Sequence, residues 1–195
     1  MLWWQSGALA ASESDSGHSI GSVEVYMTPA EARSAIFPGA SFERDIRAIP
    51  AAAKVKLAAG IGGPIGEDSL EVWLAYGGDG SFSGYGIIAE EVGKFRPITF
   101  MVGISPAFRV AGAAVLVYRE SRGGEVRRSR FLRQYQGKSA GDPIRINRDI
   151  INITGATLSV RALNFGVRKL IGLTEYLYGP GQPGPAAASD LPQPG

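Results

Sequence analysis

Residues 70 to 118 read LEVWLAYGGDGSFSGYGIIAEEVGKFRPITFMVGISPAFRVAGAAVLVY, and this stretch decides the fold. Four extended runs stand out: Leu70 to Tyr76, Phe82 to Val92, Ile98 to Ile104 and Arg109 to Tyr118. They are punctuated by Gly77-Gly78-Asp79-Gly80, Gly93-Lys94 and Ser105-Pro106, the residue types that turns demand. Connections this short join neighbours that run in opposite directions, so the spacing predicts an antiparallel meander. Pro97 to Tyr118 carries one charge, Arg109, and invites comparison with a membrane span. A central Arg costs about 2.5–3.5 kcal/mol on insertion, and Gly103, Ser105-Pro106 and Gly112 break the run where a turn belongs, so two buried strands are expected.

Helical signals flank this stretch. Thr28-Pro29-Ala30-Glu31 is a capping box with Pro at the first helical position, closed by Phe37-Pro38-Gly39. Pro50 to Ala59 predicts a second helix before Gly60, and Glu125 to Gln136 a third, with Val126, Phe131, Leu132 and Tyr135 on its apolar side. The last and longest is predicted at Thr157 to Tyr178, where Val160, Leu163, Val167, Leu170, Ile171 and Leu177 form one stripe. The expected architecture is therefore α+β: an antiparallel sheet of about four strands flanked by helices.

The organisation follows composition. The chain has 195 residues, 45% hydrophobic and 19% charged, enough for one domain with a full core, taken as residues 23–178. Residues 1–22 hold Trp3-Trp4 and a Ser/Gly/acid run, and Ala8-Leu9-Ala10 looks like the end of an atypical or truncated leader, or an anchor. Residues 179–195 contain nine Gly or Pro and one charge, Asp190, which predicts a tail or docking strap.

Chemistry is narrowed by what is missing. No Cys and one His, His18, exclude disulfides, thiolate or His-based metal sites and the usual triads. A formal charge of +2 is too small for bulk attraction to nucleic acid, although Arg119 to Arg148 carries nine Lys or Arg against three acids, a local +6. That run fits a solvated face or a seat for phosphate or an acidic partner. Its aromatic interleaving is too thin for single-stranded nucleic acid. Gly84-Tyr85-Gly86-Ile87-Ile88-Ala89 matches a dinucleotide fingerprint but leaves no room for the helix such a fingerprint needs, and Gly137-Lys138-Ser139 lacks the leading glycine of a P-loop, since position 132 is Leu.

The segment Asp149 to Ser159 is the informative one. Gly155 and Ala156 leave the backbone uncovered just where the final helix offers unpaired N–H groups and a positive dipole end, and Thr157 adds a hydroxyl. A phosphate seat fits this pattern; so does an ordinary helix cap at Thr154 or Thr157.

Thr154-Gly155-Ala156-Thr157-Leu158-Ser159 resembles the S/T-G-A-T-x-T/S motif of FMN-binding domains, as in the covalent-flavin subunits of sodium-translocating NADH:quinone reductase and Rnf electron-transport complexes. Ser83-Gly84-Tyr85-Gly86 is similar to that family's glycine-tyrosine turn, and Val117 to Gly124 to its H-x-E-T-P-G-L-G loop, with Arg119, Arg122 and Gly124 in place of His, Pro and Leu. Phe131 to Lys138 is similar to the family's aromatic segment ending in G-K. The family's acid six residues before the acceptor is replaced by Ile151.

The resemblance implies FMN as cofactor, esterified through its phosphate to Thr157 by a flavin transferase that uses FAD as donor. It implies pocket contributions from Thr154, Gly155, Ala156, Leu158 and Ser159 around the phosphate and from Glu120, Ser121 and Gly123 of the loop. It further implies an electron relay, without a substrate of its own, attached to a membrane-bound electron-transport complex on the extracytoplasmic, periplasmic side. No transmembrane helix of its own is expected. The alternative keeps the fold and drops the flavin: a structural or accessory subunit of a membrane-bound redox or photosynthetic complex.

Overall fold

The computed structural model describes residues 23–184. Its strands are β1 (Glu24–Val25), β2 (Ser41–Ala48), β3 (Ser69–Tyr76), β4 (Phe82–Val92), β5 (Pro97–Ile104) and β6 (Val110–Tyr118). Its helices are α1 (Pro29–Ile36), α2 (Ala51–Ile61), the four-residue α3 (Ser129–Leu132) and α4 (Thr157–Tyr178). All strands join one antiparallel sheet in the order β1-β6-β5-β4-β3-β2. The class is α+β as the sequence predicts, and the four middle strands are those its turn signals separate.

The strand number of about four is corrected to six. Both additions lie at sheet edges. β1 is two residues long, too short to show a period, and pairs with the end of β6. β2 reads SFERDIRA, whose charges and exposed alternation suit an edge strand and hide it from a search for apolar runs. The expected helix at Glu125 to Gln136 is also corrected. It is a 3-10 turn (Gly124–Arg127), then α3, then a second 3-10 turn (Arg133–Tyr135). Arg128 breaks the ladder in an extended conformation (φ −64°, ψ 132°), which lets Val126, Phe131, Leu132 and Tyr135 all turn inward.

The sheet is covered on both faces. α4 crosses β4 and β5 with α2 beside it, and together they enclose the main core, including Phe100, Ile87, Leu163 and Leu170. α4 comes closest at Gly166, where a Cβ would stand 2.3 Å from the Phe100 ring. α1, capped by the Thr28 hydroxyl and Glu31 carboxylate, covers the opposite face through Ala32, Met101, Ala114 and Leu116. The result places the start of α4 beside the end of β6 and the β4–β5 turn.

Candidate functional site

A cleft of about 720 Å³ opens at that junction. Three segments line it: the β4–β5 turn (Lys94, Phe95, Arg96), the loop after β6 (Arg119, Glu120, Ser121, Arg122) and the start of α4 (Gly155 to Ser159). The sequence-derived residues Glu120, Ser121, Gly155, Ala156, Thr157, Leu158 and Ser159 therefore share one wall-to-wall space. Thr154 and Gly123 do not line it. Thr154 is exposed in the turn before α4. Gly123 lies behind the seat at φ 93°, where a Cβ would meet the Tyr118 hydroxyl at 2.5 Å and Ser159 Oγ at 3.0 Å.

No side chain caps α4. Its N-cap is Ala156, and neither Thr154 nor Thr157 makes the cap bond that the sequence also allows. The ladder starts with the Val160 N–H donating to the Ala156 carbonyl at 2.9 Å, so among the described residues the N–H groups of Thr157, Leu158 and Ser159 have no acceptor. Three unpaired donors at the positive end of a 22-residue helix form an anion seat. Thr157 is the first helical residue; Asn152 Nδ2 donates to its Oγ1 at 3.0 Å, while Asn152 Oδ1 is buried without a partner. Ser159 turns its hydroxyl inward instead, to Tyr118 Oη at 2.8 Å, and Tyr118 Oη donates to the Arg122 carbonyl at 2.6 Å. Burial, first of all, pushes the Tyr118 phenol above its ordinary value, which keeps it a donor. This buried chain fastens the loop to the helix.

The loop's charges have separate tasks. Glu120 Oε1 accepts from the backbone N–H groups of Lys94, Phe95 (2.9 Å) and Arg96 (3.3 Å), clamping the β4–β5 turn. Arg119 is drawn onto the sheet, donating to the Pro97 carbonyl (3.0 Å) and Thr99 Oγ1 (2.8 Å) and pairing with Glu90 (3.4 Å). The Arg127 guanidinium lies 4.5 Å over the Tyr26 ring, outside the cleft. Arg122 is exposed in the cleft wall, and among the described residues its side chain has no partner. Phe95, 77% exposed, and Leu158, 43% exposed, add apolar surface to the mouth. Lys94, Phe95 and Arg96 were not legible as site residues, because only the Glu120 clamp brings their turn to α4.

The fold and cleft define an α+β domain with a cationic seat for an anionic group at a helix start. Residues 93–172 match the family model of the FMN-binding domain, a span that contains every residue lining this cleft. The cofactor of that family is FMN, and such a domain suggests a flavin-binding, electron-transfer role. No curated protein matches the sequence. The residues present suit the group: three free N–H donors and the unpaired Arg122 answer a phosphate, while Phe95 and Leu158 offer apolar surface to a ring. Among the described residues, no helix is long and apolar enough to cross a membrane.

Proposed function

We propose that this chain is an extracytoplasmic electron-transfer subunit with FMN joined to Thr157 by a phosphoester. The observation that carries the reading is the uncapped start of α4, which presents Thr157 Oγ1 beside three unpaired N–H groups inside a cationic cleft. In the attachment step a flavin transferase acts on FAD. Thr157 Oγ forms a bond to the FMN phosphorus, the pyrophosphate bond breaks, AMP leaves, and the threonine proton passes to solvent or a base of the transferase. The flavin would supply the electron chemistry. This chain's residues supply its seat: the Thr157–Ser159 N–H groups and Arg122 hold negative charge, and Asn152 orients the acceptor hydroxyl. The partners are subunits of a membrane-bound electron-transport complex.

Intact-mass measurement of denatured protein from its native host tests the reading. The expected result is one FMN-phosphoryl increment that survives denaturation, vanishes in Thr157→Ala and persists in Thr154→Ala. An unmodified wild-type mass favours the flavin-free accessory subunit.

A further inference from the structure

A second group of cations stands apart from the cleft. Arg168 lies on α4 about 16 Å beyond Thr157 at the rise of an α-helix. Its Nε donates to the Ile61 carbonyl at 2.9 Å and its Nη1 to the Ile144 carbonyl at 2.6 Å. Those bonds satisfy the end of α2 and fix the plane of the guanidinium. Its Nη2 is left pointing over Gly62, the left-handed cap of α2 (φ 84°). A Cβ at Gly62 would lie 3.9 Å from Nη2 of Arg168 and equally 3.9 Å from Nη2 of Arg145, so two guanidinium groups converge on one spot.

Lys56 and Arg148 line the same hollow, whose volume is about 330 Å³, together with the apolar Leu57 and Ile61. Its acid, Asp142, is turned away onto the N–H and Oγ of Ser139 at 2.8 and 2.9 Å. The nearby Asp149 carboxylate is engaged with Lys138 and with the N–H groups of Ile144 and Arg145. Among the described residues, no carboxylate forms an ion pair with Arg145, Arg148 or Arg168. Burial, and after it the charge of Arg145, holds the Arg168 guanidinium below its ordinary value. A solvated basic face spreads its charges; here one guanidinium is locked by two carbonyls and a second is brought up to it, and among the described residues neither is ion-paired to a carboxylate.

We propose that this hollow is an anion site for a phosphate monoester group, separate from the flavin seat. Converging planar guanidinium forks match phosphate oxygens in geometry, and Lys56 and Arg148 raise the positive charge beyond what one carboxylate needs. Leu57 and Ile61 give the ester's substituent an apolar wall. The phosphate can belong to a soluble ester or to a lipid headgroup, and the two are separable by experiment.

The test uses the full chain, labelled with nitrogen-15 and titrated with inorganic phosphate against sodium chloride of matched ionic strength. Saturable shifts are expected at the Gly62 and Gly172 amides, with Gly155 reporting the flavin seat independently. Arg145→Gln removes an exposed side chain that makes no hydrogen bond among the described residues, and it should weaken the Gly62 response roughly 10-fold. Arg168→Gln also loses two carbonyl bonds, so Arg145→Gln is the deciding variant. Sedimentation with phosphatidylcholine vesicles, with and without phosphatidic acid, identifies the source. Capture by phosphatidic acid that Arg145→Gln abolishes assigns a lipid headgroup, and phosphate binding without capture assigns a soluble ester. Shifts that follow ionic strength alone, or that are unchanged in Arg145→Gln, overturn the site.

Discussion

Arg119 and Arg122 stand three residues apart, and the fold sets them different tasks. Arg119 spends its guanidinium on Glu90, Thr99 and the Pro97 carbonyl, whereas Arg122 reaches the cleft unpaired. Only a cation that is not already neutralised can add to the stabilisation of a reduced, anionic flavin. Arg122→Gln should therefore make the flavin midpoint potential more negative, and Arg127→Gln, whose charge sits over Tyr26, should leave it unchanged in spectroelectrochemical titration. Equal shifts in both would point to a diffuse field. Thr157 was legible because Gly-Ala-Thr at a helix start is a local pattern. The inward turn of the Ser159 hydroxyl was not, since residues two apart on a helix point to opposite sides and only the fold brings Tyr118 to meet it.

At the scale of elements, the β4–β5 turn owes its place to one carboxylate from another segment. Three backbone donors converge on Glu120 Oε1, so Glu120→Ala should raise amide exchange at Lys94, Phe95 and Arg96 by roughly 10-fold or more while the strand amides stay protected. The segment before α4 depends likewise on Asp149, which binds Lys138 Nζ at 2.8 Å, the Ile144 N–H at 3.0 Å and the Arg145 N–H at 2.8 Å. Burial works to raise this carboxyl, but Lys138 and the two N–H groups outweigh it and hold it below the ordinary 3.8. A depressed carboxyl stabilises the fold fully above its unfolded value, and that stability is lost as pH falls through the folded value. Asp149→Asn should thus cost about 1–3 kcal/mol near neutral pH and flatten the loss of thermal stability below about pH 4. The middle strands and α4 were readable because each carries its own period between turn residues. β2 was not, because an edge strand needs no apolar run, and the segment around α3 was misread because its inward residues are gathered by a break in the helix.

At the scale of the whole molecule, the chain beyond α4 is tied back to the far edge of the sheet. Arg47 on β2 stacks 3.8 Å from the Tyr178 ring and donates to the carbonyls of Leu177 (2.8 Å) and Pro183 (2.6 Å). Cutting after Tyr178 removes the Pro183 acceptor but leaves the ring and the Leu177 bond. The midpoint of thermal unfolding should then fall by the equivalent of about 0.5–1.5 kcal/mol, with the cooperative transition retained. In the strap reading, co-purification with the membrane complex should weaken much more than stability does. Retention as tight as that of the full chain would move docking to the folded surface. Residues 1–22 lie outside the described residues, as does the strap beyond residue 184.

From β2 to β6 each strand pairs with its neighbour in sequence, and β3 to β6 can zip together through short hairpins at little cost in loop closure. The cleft cannot form on that schedule. Its walls come from residues 94–96, 119–122 and 155–159, and the last wall is the start of the final helix. Thr157 therefore gains its surroundings only when α4 docks on the sheet, and under the attachment proposed above an enzyme that reads the assembled cleft would require that docked helix.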